Sequence, residues 1–213
     1  MRRTSIHRAC IVLATALSVA ISMAAAVPVA AQDFPRIPDP VPVAVDRATT
    51  AVLIMDFVDP LCPSAPACME ALPNVVRILS WARAEGLFVV HTRGGNGTAL
   101  PDVAPIAGEP SVEGRADKFL NTPLDQLLRD KGIKTLIVTG YSGTGAVLYT
   151  SFEANARGYT VVAMDDAMPT ALPVQAYIAR FQLLNQPGAA NPDNQPLRER
   201  MVTLSRSDLV TIK

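Results

Sequence analysis

The chain has 213 residues, 49% hydrophobic and 18% charged, with 19 basic residues against 19 acidic ones. That length and apolar content suffice to bury one substantial core. The zero formal charge supplies no electrostatic footprint for nucleic acid, so no nucleic-acid partner is expected.

The N-terminus reads as a targeting segment. Arg2, Arg3 and Arg8 make a basic stretch, an apolar run follows from Ala9 to about Ala26, and Val29-Ala30-Ala31 supplies small residues. This pattern predicts a signal peptide over residues 1–31, cleaved before Gln32. A membrane anchor is the rival reading, because the run nearly reaches spanning length. Removing 31 of 213 residues leaves 182, and losing three arginines leaves 16 basic residues against 19 acidic ones. The expected location is periplasmic or secreted, with no membrane association after cleavage. Cys10 departs with the segment. Cys62 and Cys68 remain in the Pro-rich stretch 59–68, where an oxidising compartment favours a short-loop disulfide. Two unpaired thiols are the alternative.

Residues 32–49 hold several prolines and no periodicity, and read as an extended lead-in. Ala51–Asp56 is a continuous apolar run ending in a carboxylate, the pattern of a strand buried on both faces. Val75, Val76, Leu79 and Ala82 predict a helix over 73–85, stopped at Gly86. Leu87–His91 is a second strand. Residues 93–117 are rich in glycine, proline and acid and read as one long loop. Thr122 is placed to cap a helix carrying Leu124, Leu127 and Leu128 and ending at Gly132. Thr135–Thr139 is a third strand, and a glycine-rich turn from Gly140 to Gly145 leads into a helix over about 146–157. A fourth strand spans Tyr159–Met164. A helix near Val174–Leu184 and a strand near Met201–Leu204 follow. Strict alternation predicts an α/β three-layer αβα sandwich with a mostly parallel central sheet. In such sheets the site lies at the carboxyl ends of the strands, where Asp56, the 140–145 turn and Asp165-Asp166 fall.

The turn invites two motif readings. Its glycines are not spaced as a dinucleotide fingerprint, and too few residues follow Asp165 for a second nucleotide-binding half. Gly140-Tyr141-Ser142-Gly143 resembles a nucleophile elbow, but no histidine follows Ser142 to act as base. His91, the only histidine of residues 32–213, sits in an apolar run and reads as structural. No histidine lies near Cys62 and Cys68, so no metal site and no cofactor are expected.

Taken in order, Ala51–Phe57, Lys118–Leu124, Gly132-Ile133, Thr135–Gly140, Val147–Thr150, Arg157–Tyr159 and Asp166-Ala167 resemble the isochorismatase-like hydrolases, with family-like gaps across residues 50–168. The resemblance implies the same fold for residues 50–213, an aspartate base at Asp56, and a lysine beside it. In many relatives that lysine falls on the position of Glu113. Lys118, the only lysine nearby, either reaches the site from a shifted loop or is a solvated charge. The family's nucleophilic cysteine aligns with Ala146, and neither Ser142 nor Thr144 has a histidine base to replace it. The resemblance further implies a cis peptide at Tyr141–Ser142 and oxyanion donors on Ser142 and Ala146. The expected function is hydrolysis of a small molecule without a cysteine nucleophile, with Asp56 as general acid or base. The alternative is a family member that binds a small molecule without turning it over. A homo-oligomer is left open.

Overall fold

The computed structural model describes residues 33–213; the predicted signal segment, with Cys10, lies outside the described residues. Arg36–Lys213 form one compact unit. Its centre is a six-stranded parallel sheet of β2 (Thr50–Met55), β4 (Phe88–Arg93), β6 (Ser111–Glu113), β7 (Thr135–Gly140), β8 (Thr160–Met164) and β9 (Val202–Ser205), in spatial order β6-β4-β2-β7-β8-β9. Every adjacent pair is parallel. The expected sandwich is therefore correct, and all five strands expected from the sequence lie within two residues of the observed ones at either end.

The strands are apolar throughout because both faces are covered. In β2, Ala51, Leu53 and Met55 join one core with Leu136, Val138, Val161 and Ala163. Val52 and Ile54 point the other way, into a second core with Ile137, Val162 and Met164. Helix α1 (Pro66–Ala84) covers the second core through Val75, Ile78, Leu79 and Ala82. Helices α2 (Leu124–Asp130), α3 (Leu148–Ala156) and α4 (Pro173–Leu184) cover the first through Leu124, Leu128, Ala154, Leu183 and Leu184.

Three segment expectations need correction. Helix α1 begins at Pro66 rather than near Pro73, so Cys68 is helical and Pro73 sits inside the helix on an exposed turn. Pro66 at the start supplies a backbone angle suited to a first turn. Residues 93–117 are not one loop. They contain the short strand β5 (Thr98–Ala99), which pairs antiparallel with β3 (Val58–Asp59), a single 3-10 turn at Pro101–Val103, and the sheet edge β6. The lead-in is partly ordered: β1 (Val43–Val45) pairs in parallel with β10 (Val210–Ile212), a strand absent from the sequence expectation.

Candidate active site

Asp56 is the first residue beyond β2, at the carboxyl edge of the sheet. Its N–H donates to Thr92 O at 3.0 Å, which keeps it in line with β4, while a φ of 62° turns the chain out of the sheet. The carboxylate accepts a hydrogen bond from the Gly94 backbone. It lines a cavity of about 440 Å³ together with Lys118, Tyr141, Ser142, Gly145 and Ala146. Asp56, Lys118, Tyr141, Ser142 and Ala146 thus meet in one place, at the strand ends where parallel sheets hold their ligands.

Lys118 does reach the site. Its Nζ lies 2.8 Å from Asp56 Oδ1 and 2.7 Å from Oδ2, and the side chain is fully buried. The segment leading to α2 is built to deliver it. Lys118 N–H donates to Thr150 Oγ1 at 3.2 Å, and Thr122 Oγ1 donates back to Lys118 O at 2.5 Å. Thr122 also accepts from the Leu124 N–H at 3.3 Å, but the residue at the cap position of α2 is Pro123 and the helix has no side-chain cap, so Thr122 holds the lysine's main chain rather than capping the helix as expected. Phe119, next in sequence, stacks on Tyr159 with ring centroids 5.9 Å apart.

Burial pushes the Asp56 carboxyl above its ordinary range, and the Lys118 ammonium and the Gly94 N–H pull against that rise without cancelling it. A carboxyl raised in this way holds a proton more readily than an exposed aspartate does.

The opposite wall is the turn after β7. Gly140 lies so close to β2 that a Cβ there would stand 3.0 Å from Met55 Cβ. The Tyr141 N–H donates to Met55 O at 3.1 Å, and the Tyr141–Ser142 peptide is cis. At Gly143 a Cβ would fall 2.8 Å from Met168 O, so that position admits only glycine without a backbone shift. Val147 N–H donates five residues back to Ser142 O at 3.3 Å, closing a π-helical turn over Gly143–Val147 ahead of α3. Single π-turns recur at functional sites because they re-aim the residues of a helix start. Ala146, 3% exposed, presents a methyl group to the cavity where the resemblance implies a thiol.

Cys62 and Cys68 are joined in a disulfide, with Cα atoms 5.3 Å apart. It ties the loop after β3 to the first turn of α1, and Leu61 beside it lines the cavity. Among the described residues no group of three or more His, Cys, Asp or Glu side chains is placed to hold a metal ion. Asp165 and Asp166 lie at a strand end but face elsewhere in structural roles. Asp165 pairs with Arg180 at 2.7 Å, and Asp166 accepts from the Ser207 hydroxyl at 2.6 Å. Sequence reasoning missed Gly94, Arg115 and Ala116 on the cavity wall. They lie in the segment read as featureless loop, and only their position after a strand end marked them.

The Isochorismatase domain model matches residues 50–191. Streptothricin hydrolase of Streptomyces noursei is 33% identical over 121 residues, 47% of this chain and 48% of that protein. N-carbamoylsarcosine amidase of Arthrobacter sp is 32% identical over 127 residues, 45% of this chain and 48% of that protein. The chain therefore spans about half the length of the curated relatives it matches. Among solved structures, an isochorismatase family protein from Desulfovibrio vulgaris superposes with a TM-score of 0.63 at 25% identity, covering 76% of this chain and 95% of that one.

Proposed function

The chain belongs to the isochorismatase family, and we propose that it is a hydrolase of a small molecule in which Asp56 moves the proton and no cysteine attacks. The observation that carries this reading is the buried Asp56–Lys118 pair, 2.7 Å apart, facing a cavity whose thiol position holds Ala146. The ammonium fixes the carboxyl in place and supplies positive charge beside the reacting atoms. For an amide, the Asp56 carboxylate accepts a proton from water as its oxygen bonds to the carbonyl carbon. The N–H groups of Ser142 and Ala146 steady the oxyanion, and the same proton then passes to the departing nitrogen as the carbon–nitrogen bond breaks. For an enol ether, protonated Asp56 delivers its proton to the double-bond carbon, water adds to the cation formed, and the alcohol leaves as the hemiacetal collapses. Neither route forms an acyl-enzyme. Two relatives carry the names of an amidase and a hydrolase, which makes amides the first substrates to try.

Ala146 favours a second reading, a pocket that binds a small molecule without turning it over, because an alanine can neither attack a carbonyl nor hold an acyl group. A turnover screen of amides and enol ethers with the wild type and Asp56→Asn separates the two. The hydrolase reading expects turnover that falls roughly 10²–10⁴-fold in Asp56→Asn, the usual worth of a positioned acid or base. No turnover on any substrate, with saturable binding that Asp56→Asn weakens, assigns the binding role instead.

A further inference from the structure

A second cavity of about 440 Å³ lies on the α1 face of the sheet, beneath the excursion between β4 and β6. It shares no lining residue with the Asp56 cavity. Its walls are largely apolar, formed by Ile54, Phe57, Val58, Val103 and Pro105, and the buried polar residues on its wall are His91 and Thr92. Volumes of about 300–1,000 Å³ with apolar walls and few polar groups are the usual dimensions of small-molecule sites.

Thr92 Oγ1 is buried without a partner, and the His91 end is wired in a way that leaves one ring nitrogen over. The His91 side chain is 6% exposed, and its Nε2 lies 2.7 Å from Glu109 Oε2. Arg83 grips both Glu109 oxygens at 2.8 Å, and the Ile106 N–H adds a third bond at 3.1 Å. Burial pushes the Glu109 carboxyl up, but the bonds from Arg83, Ile106 and His91 outweigh it and hold it down to about 2, so it is a charged acceptor. Burial holds His91 below its ordinary range, as a neutral ring. A neutral imidazole carries one proton, and with Glu109 as acceptor that proton sits on Nε2. Nδ1 is then an acceptor, and it has no hydrogen-bond partner among the described residues.

Charge limits the occupant further. The Arg83 guanidinium cancels the Glu109 carboxylate, and Arg93 at the wall is paired with Glu113 at 3.0 Å. A charged guest would be desolvated against apolar walls with no counter-ion free to meet it. We propose that this cavity is a binding site for a neutral, mostly apolar small molecule that carries one O–H or N–H group, donated to His91 Nδ1. The assignment is independent of the Asp56 site and of its chemistry.

The test is a ligand-observed fluorine NMR titration of the protein with 4-fluorophenol and, in parallel, with fluorobenzene, which has the same ring and no donor. The proposal expects saturable binding of 4-fluorophenol, at least tenfold weaker binding of fluorobenzene, and loss of 4-fluorophenol binding in Ala104→Phe and Ala99→Phe. Both alanines are half-buried on the cavity wall, so a larger side chain there fills the space with the rest of the core intact. Asp56→Asn leaves 4-fluorophenol binding unchanged. No saturable binding of 4-fluorophenol, equal affinity for the two probes, or binding that survives both folded phenylalanine variants overturns the proposal.

Discussion

Replacing Lys118 with methionine tests the centre of the site through stability alone. The substitution keeps the length and much of the volume of the side chain but removes the charge that meets both Asp56 oxygens, at 2.8 and 2.7 Å. The pair is buried, with side-chain exposures of 0% and 10%, so solvent cannot take the place of the ammonium. Removing one member of a buried pair costs about 3–5 kcal/mol, because the other is left without a counter-charge. In a domain of this size each kcal/mol lowers Tm by ~2–4 °C, which gives a fall of roughly 6–20 °C. The sign with pH follows from the carboxyl. Burial already raises Asp56, and Lys118 is the main force opposing it. In Lys118→Met the folded state therefore binds the proton more tightly than the unfolded chain does. Stability is then greatest below the unfolded carboxyl range and is lost as pH rises toward the folded value. Urea denaturation at pH 7 and at pH 4.5 expects a large deficit at the first and a smaller one at the second. The double variant Asp56→Asn with Lys118→Met is expected to be more stable than Lys118→Met alone. A loss under about 1 kcal/mol at pH 7 with an unchanged denaturant slope refutes a buried, mutually dependent pair.

Three further outcomes follow. Ala146→Cys places a thiol in the cavity opposite Asp56; it is expected to show amide turnover that iodoacetamide abolishes, and an alkylated but inactive variant would show that Asp56 and Lys118 cannot support thiol chemistry. Reducing the Cys62–Cys68 disulfide, which closes a loop with a sequence separation of 6, is expected to cost about 2 kcal/mol on the chain-entropy estimate, measured by denaturation with and without reductant; no change would place its role outside stability. Export with cleavage before Gln32 is expected from the N-terminal pattern, and intact-mass measurement of secreted material that retains Met1 would sink it.

What the sequence revealed divides along physical lines. Buried parallel strands must be apolar on both faces, so Ala51–Met55, Thr135–Thr139 and Val161–Met164 announce themselves, and the carboxylate ending the first marks the site. The position of Lys118 was not legible. Its side chain reaches Asp56 only because Thr150 and Thr122 hold its backbone, contacts made across 32 and 4 residues that no local pattern encodes. Strand β6 escaped notice because an edge strand of three residues has room for a single buried side chain, Val112, too few to establish a period. Helix α1 was read as too short because Pro73 looked like its start. Pro73 instead faces outward within the helix, and the disulfide at Cys68 marks the true first turn. The His91–Glu109–Arg83 cluster was invisible for another reason: its members come from β4, the loop before β6 and α1, and meet only in the folded chain.

The parallel pairing of β1 with β10 gives the domain a mechanical property. Val43 lies beside Val210 and Val45 beside Ile212, so the chain enters at one end of the pair and leaves at the other. Tension applied through the two termini acts along these strands in opposite senses. It loads the ladder in shear, where the flanking bonds Val43 N–H to Leu209 O and Lys213 N–H to Val45 O, each 3.0 Å, must yield together with those between them rather than open one at a time. Pulled from its ends, the domain meets this clasp in shear together with the bonds that tie Val41 to β9, from Val41 N–H to Leu204 O and from the Ser205 hydroxyl to Val41 O, so the load is shared with the edge of the six-stranded sheet.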